Sequence, residues 1–488
     1  MKNLLLLLSF ITLSHFHFAQ CDTNRYVNAI FDSVYKHANV KYGEAPVWTI
    51  PYNNTDLFMD IYEPIGDATT KRPMMFWVHP GGFLLGDKEA DDMVALCDSF
   101  ARRGYVTASI GYRLGFNPVS SSSAERAVYR GTQDVRAAIR YMMEYADIYD
   151  VDTNYMFLGG SSAGGFATLH VAYADQDEVP SSVYGGIFDN DLGCIDCAGN
   201  NYVHEINLKG IVNLWGALGD STWVDADEIV PALLIHGTAD GTVPFADGHP
   251  FGVFTTPLTY GSRCIHNQLN SHGIDHDFLF FEGEDHEPHG ASNGDFNSPP
   301  TPYWDTIFTA VRDHYFAQLQ PDSASILGNL LVDEGAQEWY SVSINLEDST
   351  CWSVQNGNVI QSLRDSILVE WNAFGSGAIQ ARINNEVNAV SEMTELAVTI
   401  LDVSAVSEVN HVEPSFVIYP NPAEDKIWID KLPIDAEMII TDGLGREVAR
   451  LKIAEPNVEL DVQNYVQGVY FVTILHSDTQ STARFIKQ

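Results

Sequence analysis

Basic residues are scarce in this sequence. Its 488 residues include 26 lysines and arginines against 65 aspartates and glutamates, which gives a formal net charge of -39. A surface of this charge repels phosphate backbones and anionic bilayers. Nucleic acid and anionic membranes are therefore poor candidate partners, and the composition is typical of a soluble protein in an extracellular or saline medium.

Long apolar runs are missing too, apart from one at the N-terminus. The sequence MKN precedes the run LLLLLSFITL, and polar residues follow up to Gln20. This is the pattern of a signal peptide over residues 1–19, and it is too short to predict a membrane span. Cys21 raises lipidation as a minor alternative, although Gln20 fits poorly before a lipidated cysteine.

Cysteines are few, six in all. In an exported chain they predict disulfides, because the compartments outside the inner membrane are oxidising. Our hypothesis pairs Cys21 with Cys97, and pairs two among Cys194, Cys197 and Cys264. The CIDC spacing at 194–197 also occurs in redox motifs, but here it lies in a loop rich in Gly, Asp and Asn, so a structural bond is favoured. Zinc would need a second pair at ligand spacing, which the sequence lacks.

Strand-like and helical patterns alternate from about residue 46 to about residue 320. This alternation predicts an α/β domain over residues 20–320, with a mostly parallel eight-stranded sheet and helices on both faces. Helical spacing is clear at 129–145 and 164–174. The candidate strands are VWTIPY, LFMDIY, MMFWVH, YVTASI, YMFLGG, GIVNLWG, ALLIHG and FLFFEG.

After Leu319 the sequence pattern changes to that of short strands without long amphipathic helices. WSVQNGNVI, SILVEWNAF, AIQARI and LAVTILDV predict a small β-sandwich over residues 322–405. With Trp352 before the turn at 355–357 and Trp371 at the end of the next strand, this segment resembles a PKD-like, immunoglobulin-type module. Cys351 has no partner within the module, so we expect it to be buried.

The last segment, residues 413–488, carries the motifs VIYPNPA, TDGLGR and GVYF in that order. Each one marks a turn entering or joining strands, so a second β-sandwich is expected. The ordered set resembles the C-terminal sorting domain of the type IX secretion system of Bacteroidetes. That resemblance implies the secretion machinery as a partner and a product that is secreted or attached to the cell surface.

One motif predicts a nucleophile. The sequence GSSAG fits G-x-S-x-G, and it lies directly after the apolar strand YMFL and before a helical run. Glycines at 160 and 164 are expected because side chains there would collide across a tight strand-to-helix turn. Ser162 is at the centre of the motif, which excludes Ser161 as the nucleophile.

A serine hydroxyl needs a base and a carboxylate that orients the base. Asp240 is the best acid, since it follows the strand ALLIHG, at the carboxyl edge where open α/β sheets build their sites. His286 follows the next strand and is the predicted base, with His289 as the alternative. His236 is expected to pack or hydrogen-bond locally. A metal site of Asp285, His286 and His289 is a further alternative, but two of these residues are adjacent in sequence and nothing supports the geometry of the third ligand.

An oxyanion needs fixed backbone donors. The loop HPGGF after the strand MMFWVH is a variant of the His-Gly-Gly-Gly loop of esterases, and it includes His79 and Gly81. We assign the donor N–H groups to Gly82 or Phe83 and to Ala163. Proline at position 80 cannot donate, so the choice between the two loop amides stays open.

These motifs together resemble one enzyme group. LFMDIYEP, HPGGF, GYRLGF, QDVRAAIRYM, GGSSAGG, HGTADGTVP and GEDHEP occur in the order found in carboxylesterases and hormone-sensitive-lipase-like α/β-hydrolases. The resemblance implies hydrolysis of carboxylic esters through an acyl-enzyme, and it implies no metal or organic cofactor.

The sequence indicates the substrate less clearly than it indicates the reaction. Export and an accessory sandwich suit acetyl or feruloyl esters of a polysaccharide. A lipase, a prolyl-oligopeptidase-like serine peptidase and an inactive surface adhesion protein are the alternatives. The insert at about 175–206 and the N-terminal arm at 25–42 are the segments expected to cover the pocket.

Overall fold

The computed structural model describes residues 24–186, 189–227, 229–402, 416–476 and 479–488. The predicted signal peptide and Cys21 lie outside these ranges. The chain divides into two compact units, Met1–Asn372 with Ser376–Thr399, and Ala373–Gly375 with Ile400–Gln488. Within the ranges described, no helix is long and apolar enough to cross a membrane.

An eight-stranded sheet organises the first unit, in the order β1-β2-β4-β3-β5-β6-β8-β11. Three short strands form a separate sheet in the order β7-β10-β9; they are β7 (Ala217–Leu218), β9 (Asp247–Gly248) and β10 (Thr259–Gly261). The strands of the eight-stranded sheet are β1 (Val34–Pro46), β2 (Asn54–Pro64), β3 (Arg72–Val78), β4 (Val106–Ile110), β5 (Val151–Ser161), β6 (Gly210–Leu214), β8 (Ala232–Gly237) and β11 (His276–Phe281). β1 and β2 pair antiparallel, as do β2 and β4, and the other pairs in this sheet are parallel. The predicted α/β-hydrolase fold class is confirmed.

Helices cover both faces of this sheet. They are α1 (Asp91–Ala101), α2 (Ser121–Glu144), α3 (Ala163–Tyr173), α4 (Ser262–His272) and α5 (Tyr303–Leu319). The central strand β3 is buried along its whole length, and its side chains alternate between two cores. Met74, Phe76 and Val78 pack on the face with α2 and α3, whereas Met75 and Trp77 pack on the face with α1 and α5. Burial on both faces explains the continuous apolar run of this strand.

Two predicted elements differ from the structure. VWTIPY is a loop, and the first strand is β1, which lies in the N-terminal arm. β1 is an edge strand with mostly exposed or half-buried residues, so its sequence lacks the apolar pattern that marks a buried strand. Helix α2 begins at Ser121, earlier than predicted, because Ser120 caps it by accepting a hydrogen bond from the Ser123 amide.

The cysteine pairing was predicted only in part. Cys194 and Cys197 form a disulfide, as one of the proposed options has it. The predicted bond between Cys21 and Cys97 is wrong, because Cys97 is a free thiol buried on the face of α1 that packs against the sheet. Cys264 is also free, and Cys351 is disulfide-bonded rather than merely buried.

A β-sandwich follows α5 within the first unit. Its sheets have the orders β12-β18-β17-β14 and β13-β16-β15. The strands are β12 (Leu331–Asp333), β13 (Gln337–Ser341), β14 (Ser349–Gln355), β15 (Gly357–Ser362), β16 (Ser366–Trp371), β17 (Gly375–Asn384) and β18 (Thr394–Leu401). The segment predicted as WSVQNGNVI splits into β14 and β15 at Asn356, whose φ is 59°. Val387 and Ala389 join the core beside α5, so the sandwich packs on the α/β domain.

The second unit holds two more antiparallel sheets, with the orders β19-β20-β23 and β22-β21-β24-β25. Its strands are β19 (Val417–Tyr419), β20 (Lys426–Asp430), β21 (Glu437–Asp442), β22 (Glu447–Lys452), β23 (Asn457–Asp461), β24 (Gly468–His476) and β25 (Thr479–Lys487). A separate apolar core, which includes Ile427, Ile440 and Val472, lies between the sheets.

Candidate active site

Ser162 lies on a sharp turn between β5 and α3. Its φ of 53° and ψ of -113° fall in a region that few non-glycine residues adopt. A Cβ atom at position 160 would stand 2.2 Å from the Gly164 carbonyl oxygen, and one at position 164 would stand 2.0 Å from the Val78 carbonyl oxygen. Both glycines are therefore required by the close approach of backbone, as the motif predicts.

The turn presents the Ser162 hydroxyl to His286. The Oγ atom lies 2.9 Å from His286 Nε2, and His286 Nδ1 lies 2.7 Å from Asp240 Oδ2. Because a carboxylate only accepts hydrogen bonds, Nδ1 carries the proton and Nε2 is left to accept from the serine hydroxyl. The three residues proposed from sequence thus form one continuous hydrogen-bonded chain.

Asp240 is held from several directions. Its Oδ1 atom accepts hydrogen bonds from the amides of Thr242 and Val243, each at 2.8 Å. Burial acts to raise the pKa of this carboxyl, but hydrogen bonds from His236 and His286 outweigh it and hold the pKa below its usual range. The side chain is fully buried and ionised at neutral pH, which suits it to orient an imidazole.

The acid and base loops are packed against each other. The Ala239 amide donates to the Glu284 carbonyl at 2.9 Å. A Cβ at position 237 would meet that same carbonyl oxygen at 2.4 Å, which explains the glycine at the end of β8. This close packing brings the loops after β8 and β11 together and places Asp240 beside His286.

The other histidines of the region take different positions. His289, the alternative base, is 1% exposed, stacks on Trp215 and faces Asp92 at 3.5 Å. His236 does pack locally as expected, and it also contacts Asp240, with Nε2 3.2 Å from Oδ2. Among the described residues, no group of three or more His, Cys, Asp or Glu side chains could hold a metal ion.

The loop after β3 runs beside Ser162 in a strained conformation. Gly81, Gly82 and Phe83 have φ values of 116°, 60° and 58°. The loop is anchored by His79, whose Nδ1–H donates to the Pro80 carbonyl at 2.7 Å and whose ring stacks on Tyr112. Burial lowers the pKa of His79 to about 4, so the ring is neutral at pH 7.

The predicted oxyanion donors line the same cavity as Ser162. Gly82, Phe83 and Ala163 all border it. Within the described part of the chain, the amides of these three residues donate to no other protein group. They are therefore free to donate to a ligand at the Ser162 hydroxyl.

The cavity beside Ser162 has a volume of about 280 Å³ and is mostly apolar. Its wall includes the aromatic side chains of Phe83, Phe116, Phe166, Trp223 and Phe251. The few polar groups include Glu125 and His170, and the His170 Nδ1–H donates to the Phe166 carbonyl at 2.7 Å. The ring therefore has Nε2 as a free acceptor when neutral.

The insert at 175–206 contributes Val179, Pro180 and Ile195 to this cavity. It is tied to α2 by ion pairs from Arg136 and Arg140 to Asp196, which lies between the two bonded cysteines. The N-terminal arm, the other segment expected to cover the pocket, forms β1 instead.

Sequence reasoning missed the contact of His236 with Asp240 and the polar residues of the cavity. The HG pair at 236–237 was a visible signal for His236, because it ends β8 and the histidine lies four residues before the acid. Glu125 and His170 gave no such signal, since each follows the ordinary helical pattern of α2 or α3.

Two family models match this chain. Residues 59–219 match the BD-FAE family, and residues 417–488 match the family described as the secretion system C-terminal sorting domain. The first match includes the loop at 79–83 and Ser162, and the second spans the strands of the second unit.

Curated relatives match over parts of their length. Mouse carboxylesterase 3B is 33% identical over 135 residues, which are 27% of this chain and 23% of the relative. Human carboxylesterase 3 is 34% identical over 36% of this chain and 27% of its own length. Secreted lipase 1 of Botryotinia fuckeliana is 26% identical over 39% of this chain and 38% of its own. The chain thus spans about a quarter of the carboxylesterases it matches.

Among the solved structures that this chain resembles is Thermogutta terrifontis esterase 2 phosphonylated by cyclosarin. It has 19% sequence identity and a TM-score of 0.40, and the match covers 58% of this chain and 94% of that one. The sheet order, the turn at Ser162 and the two family matches lead to one identification. The chain contains an α/β-hydrolase domain in which residues 59–219 match the BD-FAE family and resemble carboxylesterases, and its residues 417–488 match a secretion system C-terminal sorting domain.

Proposed function

We propose that the chain is a secreted serine carboxylesterase, with Ser162 as nucleophile, His286 as general base and Asp240 as the acid of the triad. The observation that carries the proposal is the continuous chain from Ser162 Oγ through His286 to Asp240, at 2.9 and 2.7 Å, beside an apolar cavity. Its chain order, Ser, Asp, His, is that of α/β-hydrolases.

The reaction follows from this geometry. Ser162 Oγ attacks the ester carbonyl as its proton passes to His286 Nε2, and Asp240 stabilises the resulting imidazolium. The amides of Ala163 and of Gly82 or Phe83 receive the negative charge on the carbonyl oxygen. His286 then returns the proton to the leaving alcohol, and an activated water hydrolyses the acyl-enzyme by the same steps.

The size and lining of the cavity indicate which acyl group the enzyme accepts. Acetyl and feruloyl esters of a polysaccharide are the candidate substrates, and a volume of about 280 Å³ exceeds what a two-carbon acyl group fills. Six aromatic side chains line the wall, Tyr129 among them, and they favour an aromatic acyl group, since aromatic pairs stabilise each other in stacked or edge-to-face contact. We propose feruloyl-type esters as the preferred class, with a lipase specificity as the second candidate because a secreted lipase is among the relatives.

The site of action follows from the sorting domain. A match over residues 417–488 supports export by the machinery that recognises this domain. We propose that the enzyme acts outside the cell, secreted or attached to its surface, where polymeric esters are accessible.

The test is a substrate panel on the purified protein. Feruloyl and acetyl esters, acetylated xylan and triolein are assayed with the wild type and with Ser162→Ala. We expect higher kcat/KM on feruloyl than on acetyl esters, and loss of all activities in Ser162→Ala. Equal activity of the two proteins contradicts the proposed nucleophile, and a preference for triolein selects the lipase reading.

A further inference from the structure

Behind Asp240 lies a chain of buried polar side chains that the reaction above leaves unused. Asn213 on β6, His236 on β8 and Ser262 at the start of α4 are each 0% exposed. Ser262 Oγ lies 3.0 Å from Asn213 Nδ2 and 2.8 Å from His236 Nδ1. His236 Nε2 then reaches Asp240 Oδ2 at 3.2 Å.

The direction of every hydrogen bond in this chain is fixed. The Gly216 amide donates to Asn213 Oδ1 at 2.9 Å, so the Nδ2 group of Asn213 must face Ser262 and donate to it. At the other end, the Val243 carbonyl lies 3.1 Å from His236 Nε2 and can only accept. His236 Nε2 therefore carries its proton, and the hydroxyl of Ser262 donates to Nδ1.

Two imidazoles thus face one oxygen of Asp240: His286 Nδ1–H donates to it, and the Nε2–H of His236 is shared between it and the Val243 carbonyl. His286 Nδ1 and His236 Nε2 both face Oδ2, whereas Oδ1 is saturated by two backbone amides. Hydrogen bonds to a charged group are stronger than neutral ones and leave a large penalty when one partner is lost. The carboxylate is thereby held in place beside His286.

We infer that His236, held as the Nε2–H tautomer by Ser262 and Asn213, is a positioning residue that orients Asp240 and takes up part of its charge. This inference rests on the proposed function of the triad.

The charged group in contact with His236 is Asp240. The titratable groups around Asp240 are His286 and Asp285, and the Asp285 carboxylate accepts hydrogen bonds from the amides of Gly241 and His286.

The experiment compares His236→Phe with His236→Gln in the full chain. Phe keeps the ring and removes the donor, whereas the Gln amide can donate to Asp240 from the position of Nε2. We expect kcat on a feruloyl ester to fall by about tenfold in His236→Phe, the effect of one hydrogen bond to a charged group, with KM nearly unchanged.

The pH profile separates positioning from a structural role. In His236→Phe, Asp240 loses one hydrogen-bond donor, so its negative charge stabilises protonated His286 more strongly. We therefore expect the acid limb of the plot of kcat/KM against pH to shift to higher pH by about half a unit. We expect His236→Gln to return the acid limb to its position in the wild type. His314→Phe, which removes another buried histidine from α5, is the matched control and leaves the limb in place. An unmoved limb in His236→Phe overturns the inference.

A readout without substrate keeps the two proposals apart. In protein labelled with nitrogen-15 histidine, we expect Asp240→Asn to shift the Nε2–H resonance of His236, which is assigned by its loss in His236→Phe. An unshifted resonance overturns the contact even in an active enzyme. An inactive wild type with a shifted resonance instead overturns the triad and leaves the contact standing.

Discussion

His170 makes the stability of the catalytic domain depend on pH. The side chain is 9% exposed in the wall of the cavity, and burial lowers its pKa to about 4, from an ordinary value of 6.5. The unfolded chain therefore binds a proton at a pH where the folded chain does not. The contribution of this histidine to the free energy of unfolding is fully present above pH 6.5 and is lost as the pH falls toward 4.

The size of this effect follows from the two pKa values. Between pH 7 and pH 5, one such histidine lowers the free energy of unfolding by about 2 kcal/mol. In His170→Phe the imidazole is replaced by a ring that can pack on Phe166 and Trp223 as the histidine does. We expect the variant to lose about 2 kcal/mol less than the wild type over this pH interval.

The assay is urea unfolding at pH 7 and pH 5, followed by tryptophan fluorescence and by loss of esterase activity. His272→Phe is the matched control, since His272 is an exposed histidine in the last turn of α4. We expect the control to keep the pH dependence of the wild type. If His170→Phe keeps that dependence as well, the burial argument for this histidine is refuted.

Two further predictions concern the turn and the insert. In Gly164→Ala the new methyl group would stand 2.0 Å from the Val78 carbonyl oxygen, so we expect loss of soluble, active protein in expression trials. Gly241→Ala, whose nearest atom would be 3.7 Å away, should stay soluble, and equal yields would contradict the packing argument. The double variant Cys194→Ser and Cys197→Ser opens a short loop, so we expect the free energy of unfolding to fall by about 2 kcal/mol or less. A rise in stability would show that the bond strains the insert.

That Ser162, Asp240 and His286 lie together could be predicted, because the position of each depends on local sequence. Ser162 lies on a turn whose glycines are dictated by backbone approach, and Asp240 and His286 follow strands whose apolar runs are visible. Parallel strands bring their carboxyl ends to one edge of the sheet. The position of all three followed from order along the chain.

The remainder depended on contacts between distant segments. β1 is an exposed edge strand, so its sequence carries no apolar signal. The predictions for Cys97, a bond to Cys21, and for Cys351, a buried thiol, were wrong because disulfide connectivity depends on which helix face or sheet each cysteine occupies. The hydrogen bonds that link Asn213, Ser262 and His236 join three different elements, so no spacing within the sequence predicts them.

The central claim is that Ser162 is a nucleophile activated by His286. The most direct measurement is the mass of the intact protein after treatment with a fluorophosphonate, followed by peptide mapping. We predict one adduct per chain on the peptide that contains Ser162, and none in Ser162→Ala or after heat denaturation. An unlabelled native protein, or an adduct on Ser161 in its place, would contradict the account.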